Sequence, residues 1–118
     1  MEADKLSQDM KVLADPVRLR ILYLLPDEPN CEHGNNVSNL AQKLEIPQPT
    51  ISHHLKILRS AQFVEYRKMC RDVFYWRNTQ KLQQVCTSIG ESLNFDLRES
   101  VNPVARTDAR IEEQYPSI

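Results

Sequence analysis

Apolar residues recur at helical spacing along much of the chain. From about Ala3 to Leu13, Leu6, Met10 and Leu13 fall on one side and predict a first amphipathic helix. It ends near Asp15-Pro16, because proline disfavours helix for its predecessor yet suits the first turn of a new one. Val17 to Leu25 (VRLRILYLL), apolar almost all round with Arg18 and Arg20 interrupting, reads as a short central helix of the core, stopped by Pro26. Val37 to Leu44 (VSNLAQKL) puts Val37, Leu40, Ala41 and Leu44 on one stripe, and only Glu45, Ile46 and Pro47 separate it from the next helix. That helix, read between Ile46 and Leu58 (IPQPTISHHLKIL), carries Ile51, Leu55 and Leu58 on one side and small polar and imidazole side chains at its front end. Two amphipathic helices across so short a turn predict a helix-turn-helix.

The period then changes. Phe63 to Lys68 and Val73 to Trp76 are rich in β-branched and aromatic residues and are joined by Met69, Cys70, Arg71 and Asp72, which reads as a β-hairpin. Neither glycine nor asparagine supplies its turn, so the loop type is open. Helical spacing returns from Thr79 to about Leu93, with Leu82, Val85, Cys86, Ile89 and Leu93 on one face. So small a core offers that stripe no obvious partner, and a second subunit is the expected cover. Asn94 to Ile118 lacks a clear period and reads as a loosely ordered acidic tail, with room for a short helix around Val104 to Gln114. The expected division is thus a folded domain over 1–93 and a tail over 94–118.

Composition narrows the function. A chain of 118 residues, 41% hydrophobic, with formal net charge -1 can bury one modest core. The absence of a membrane-length apolar run, together with the acidic, polar start, leads to an expected cytoplasmic location. Three widely spaced cysteines, Cys31, Cys70 and Cys86, argue against a structural disulfide framework and for reduced thiols. The small net charge conceals an asymmetry: from Ile46 to Lys81 the bases are Lys56, Arg59, Arg67, Lys68, Arg71, Arg77 and Lys81, against only Glu65 and Asp72. A basic block is often no more than a solvated face. Its coincidence with the helix pair favours phosphate neutralisation and double-stranded DNA as partner.

Helical geometry assigns roles. At about 100° per residue, with the core face centred on Ile51, His53, Lys56, Pro49 and Ser60 project away from the core, Thr50 and Ser52 flank them, and His54 sits nearer the core edge. Gln48, Thr50, Ser52 and His53 lie early in the helix, where side chains reach base edges, and Lys56 suits a phosphate. Arg67, Lys68 and Arg71 gather at the hairpin tip, where a wing reaches a phosphate or the minor groove. Neighbouring His53 and His54 point about 100° apart and do not easily converge on one metal ion.

KVLADPVRLRILYLL from Lys11 to Leu25, the helix pair ending QPTISHHLKILRSAQFVEYRK, and the hairpin VFYW together resemble the ArsR/SmtB family of bacterial winged-helix repressors over roughly residues 5 to 93. The resemblance implies a mainly α fold with a β-hairpin wing, a winged helix-turn-helix forming a homodimer through its first and last helices. It also implies binding to a palindromic operator and release by an effector. One departure is Pro47, where relatives usually have a serine able to cap the helix. Gln48 or backbone geometry must compensate.

The effector is not spelled out by family motifs. Where the metalloid-sensing branch has a Cys-Val-Cys motif, this chain has Asn36, Val37 and Ser38, and where the zinc-sensing branch studs the last helix with ligands, it has only Glu91 and no histidine. In their place stands an insertion of about five residues within PDEPNCEHGNN, Pro26 to Asn36. Cys31 and His33 in it are candidate ligands for zinc or another thiophilic metal or metalloid ion, with Cys86 of a second copy as a supplement. The plainer reading is a polar surface loop with a Gly34-Asn35 turn. Cys31 and Cys86 also form a candidate redox pair, although the family's thiol sensors place their first cysteine where this chain has Tyr23. Cys86, on an apolar stripe, otherwise reads as a small buried residue, and Cys70 as a tolerated substitution in the wing turn.

An enzyme is not expected: Gly34 and Gly90 are the only glycines, too few for a phosphate-cradling loop, and no nucleophile, base and orienter assemble in the sequence. A winged-helix protein-interaction module and a thiol-redox-responsive repressor are the competing readings.

Overall fold

The computed structural model describes residues 3–31 and 35–96. Helix α1 (Ala3–Leu13) and α2 (Pro16–Leu24) meet at Asp15, whose extended backbone and side-chain oxygen cap α2 by accepting from the amides of Val17 (2.9 Å) and Arg18 (3.1 Å). Helix α3 (Val37–Leu44) starts at Asn36, which accepts from the Asn39 amide at 2.8 Å. It ends at Glu45 in the left-handed region (φ 57°), where Ile46 N donates to Ala41 O and turns the chain sharply. Helix α4 (Gln48–Ser60) follows after two residues, which completes the helix-turn-helix. Strands β1 (Val64–Met69) and β2 (Asp72–Arg77) pair antiparallel from Val64↔Arg77 to Met69↔Asp72, and α5 (Thr79–Ser92) is capped by Asn78.

One core lies beneath the helix pair. Its largest fully buried side chains are Ile21, Leu40, Ile51, Leu55, Leu58 and Phe63, so the apolar stripes of α2, α3 and α4 and the entry to β1 converge there. Burying such a side chain contributes about 1.5–3 kcal/mol, and this convergence fixes the angle at which α4 presents its outer face.

Three expectations need adjustment, and the loop type left open is settled. Helix α2 does lie in the core, packed against α1, α3 and α4 with Ile21 and Leu22 buried, but Leu19 (52%) and Tyr23 (60%) stand exposed, so an apolar circumference did not mean burial all round. The α5 stripe is not left wholly for a second subunit either, because Val85 is buried and Leu82 and Ile89 pack against the chain's own core. Only Cys86 and Leu93 of that stripe face solvent. The hairpin turn contains just Cys70 (φ 53°) and Arg71 (φ 69°), both left-handed, the signature of a type I′ turn made without glycine or asparagine. Helix α4 begins two residues later than its first apolar residue suggested, because Ile46 and Pro47 form the turn. The tail beyond Asp96, including the helix expected near Val104 to Gln114, lies outside the described residues. No helix among the described residues is long and apolar enough to cross a membrane.

Candidate nucleic-acid interface

Helix α4 is two-faced. Ile51, Leu55 and Leu58 are at most 1% exposed, while Gln48, Thr50, Ser52, His53 and Lys56 all lie on the solvent side. The start of the helix, where base-reading side chains sit in helix-turn-helix proteins, is therefore unobstructed by the described residues. Pro47 supplies no side-chain cap; its carbonyl accepts from both Thr50 N (3.0 Å) and Ile51 N (3.1 Å). Gln48 reaches back instead, its Nε2 3.4 Å from Ser38 Oγ, which ties the front of α4 to α3 rather than capping it.

His54 faces inward, half-buried, with Nδ1 3.3 Å from Arg18 Nη1. The two histidine rings are edge-on, centroids 5.7 Å apart, so they do not form a chelating pair. Arg18, read from sequence only as an interruption of an apolar helix, turns out to be a structural hub. Its guanidinium donates to Val12 O (2.6 Å) and Lys11 O (3.5 Å) at the end of α1, approaches Asp15 at 4.0 Å, and touches α4 through His54. The carbonyls that close a helix carry partial negative charge, so a cation is well placed there. Burial alone would raise the Asp15 carboxyl; the amides of Arg18 and Val17, then the charges of Arg18 and His54, outweigh it and hold Asp15 below its ordinary value.

The basic block divides. Lys81 does not face a ligand: it is buried, paired with Asp9 at 3.0 Å and lying over the Phe63 ring, where it joins α5 to α1. Arg77 is paired with Asp27 at 2.6 Å. Lys56 on α4 and Arg67, Lys68 and Arg71 on the wing remain exposed. The wing is braced against α4 by Arg59, whose guanidinium lies 4.6 Å from the centre of the Tyr66 ring, itself stacked on Tyr75. Trp76 Nε1 donates to Glu65 at 2.8 Å across the strands.

The insertion is built into the wing. The outer edge of β2 would otherwise expose unpaired amides, but Arg77 N donates to Pro26 O (2.8 Å) and Tyr75 N to Asn35 O (3.2 Å). Asn36 Nδ2 donates to Asp72 at 2.6 Å, and Cys31 is disulfide-bonded to Cys70 across 39 residues. The sulfur beside Cys31 is that of Cys70 and not that of Cys86, which is free and exposed on α5 rather than buried. The signal missed was the insertion itself, long enough to bring Cys31 to the wing tip. His33 lies outside the described residues. Cys31 is committed to Cys70, and no group of three or more His, Cys, Asp or Glu converges among the described residues.

Fold and exposed surfaces together define a winged helix-turn-helix protein. Residues 15–66 match the model of the arsR family of bacterial regulatory proteins. The chain is 35% identical over 74 residues to a transcriptional repressor SmtB homolog of Synechocystis, a match covering 63% of this chain and 52% of that protein. It thus spans about half the length of that relative. Among solved structures, the transcriptional repressor BigR from Xylella fastidiosa shares 31% identity with a TM-score of 0.57, over 72% of this chain and 80% of that one. The homodimeric winged helix-turn-helix DNA-binding domain of Mb0332 from Mycobacterium bovis, at 23% identity, shares the fold with a TM-score of 0.57 over 75% and 79% of the two chains. The chain belongs to the ArsR family, as its sequence motifs implied.

Proposed function

We propose that this protein is a cytoplasmic, non-enzymatic transcriptional repressor that binds a palindromic DNA operator as a homodimer. The observation that carries the reading is the split of α4 into a fully buried apolar face and an outer face bearing Gln48, Thr50, Ser52, His53 and Lys56, beside a wing exposing Arg67, Lys68 and Arg71. On this reading the first four contact base edges in the major groove, Lys56 contacts a phosphate, and the wing residues contact phosphates or the minor groove. Pairing through α1 and α5 is supported by the apolar residues Met10, Leu93 and Phe95 left exposed on or just beyond them, and by the homodimeric domain of the same fold. A two-fold dimer then places two copies of α4 about 34 Å apart or a multiple of it, one per half-site.

The relatives' names support repression, and the disulfide supports thiol chemistry over metal binding as the effector input. The test is selection of duplexes from a random pool by the reduced protein, followed by titration of the winner at rising salt. A palindrome recovered with a steep salt slope is the expected result. Equal retention of all duplexes, vanishing with little added salt, would instead mark a protein-interaction module.

A further inference from the structure

The Cys31–Cys70 bond joins two surface elements 39 residues apart in sequence: the insertion between α2 and α3, and the two-residue turn at the wing tip. Their Cα atoms are 6.5 Å apart, within the span a disulfide bridges. Cys70 is exposed and Cys31 half-buried, so reagents in solution reach the pair. A reducing cytoplasm keeps such thiols apart, and cytoplasmic disulfides in most organisms are transient and redox-sensing. A solvent-accessible cysteine poised next to a second that can resolve it is the arrangement of a sensor.

We infer that Cys31 and Cys70 form a thiol–disulfide modification site which, when oxidised by a peroxide, clamps the insertion onto the wing tip and weakens DNA binding; the second half rests on the repressor reading above. The Cys70 thiolate attacks one peroxide oxygen, the O–O bond breaks, and hydroxide leaves to take up a proton as water, giving a sulfenic acid. The Cys31 thiolate then attacks that sulfur, the S–S bond forms, the S–O bond breaks, and a second hydroxide leaves as water. Two thiols lose two electrons and the peroxide gains them. A small dithiol reverses the change by exchange, itself becoming a disulfide.

The effect on DNA follows from what the clamp brings together. Lys68 and Arg71 lie on either side of the bonded Cys70, so the bond ties the basic turn of the wing to the insertion. Closing it fixes a turn that must otherwise settle into a groove. That restraint acts against phosphate contacts. With the thiols free, the ladder of β1 and β2, the bonds from Pro26 and Asn35 and the Asn36–Asp72 contact still hold the wing, while the Cys70–Arg71 turn loses its covalent tether.

The experiment uses the full chain after dithiol and after hydrogen peroxide, alongside Cys70→Ser, Cys31→Ser and Cys86→Ser. Thiol titration should find three free thiols in the reduced chain and one, Cys86, in the oxidised chain, with the Cys31–Cys70 crosslink seen in the peptide map. Operator affinity should fall about tenfold on oxidation, with a salt slope shallower by about one, as for one lost phosphate contact. Cys86→Ser should respond like the parent, and the other two variants should bind like the reduced protein with or without peroxide. Unchanged or tighter binding on oxidation, a response that survives Cys70→Ser, or a different crosslink would overturn the proposal. Reduced protein that selects no operator, yet shows the expected thiol count and crosslink, would sink the repressor reading and leave the modification site standing.

Discussion

Helix α4 and the wing are neighbours with opposite designs. The helix is held from within: three fully buried residues anchor it, and the base-reading candidates on its outer face carry few bonds to the rest of the chain. The wing has little interior of its own and is held from outside. Its strands bury Val64, Phe74 and Trp76, and its edge and tip are fastened to the insertion by two main-chain hydrogen bonds, the Asn36–Asp72 contact, the Arg77–Asp27 ion pair and a disulfide. A rigid reader therefore sits beside an arm whose attachment is polar and covalent. Hydrophobic packing does not respond to redox state, whereas a covalent attachment does, so regulation acting on the wing leaves the fold of the reader intact.

The comparison predicts where mutations hurt. Leu55→Ala, on the buried side of α4, should cost about 2–5 kcal/mol of unfolding free energy through lost burial and a cavity; urea titration measures it, and a loss below 1 kcal/mol would mean that α4 is not held by its core face. On the outer side, His53→Ala should leave the urea midpoint nearly unchanged and cost about 1–3 kcal/mol of discrimination between the operator and a variant altered at the contacted base pair. Equal losses on operator and random DNA would remove His53 from base reading. Arg71→Ala at the wing tip should weaken specific and random duplexes alike, with a salt slope shallower by about one. A sequence-dependent loss there would make the wing a reader too.

The same contrast explains what could be read in advance. Helices α1, α3, α4 and α5 were visible because a 3.6-residue apolar period encodes which side is buried, and Ile51, Leu55 and Leu58 sit inside as that period requires. The outward projection of Thr50 and His53 follows from the same geometry. Contacts between distant segments have no period. Nothing local to Cys31 says that it meets Cys70, nothing local to Lys81 says that it is buried against Asp9, and nothing local to Arg18 says that it closes α1. Circumferential apolarity in α2 misled for a related reason: the pattern reports which residues tolerate burial, while the number of neighbouring elements decides how many are covered. The turn at Cys70–Arg71 escaped because two non-glycine residues adopt left-handed backbone there, at roughly 1–2 kcal/mol each, a cost that local preference counts against and tertiary attachment offsets.

The smallest expected effect concerns the polar hub behind α4. Asp15 caps α2 through two amides and faces Arg18, which in turn closes α1 and reaches His54. Its folded pKa lies below the ordinary 3.8, so the carboxylate's contribution to stability is fully present above that value and disappears as pH falls through the lower, folded one. Asp15→Ala should therefore cost about 1 kcal/mol near neutral pH, the usual loss for a capping side chain. Asp15→Asn keeps an oxygen that accepts from the amides but lacks the charge, so its deficit should be smaller and confined to the same pH range. Urea titrations of parent and both variants, carried from neutral pH down into strong acid, separate the two contributions: the gap between parent and Asp15→Asn should close once the parent's carboxylate is protonated. A gap that persists unchanged in acid would show that the Arg18 partnership contributes nothing through charge, and that the hub beneath the reading helix is held by hydrogen-bond geometry alone.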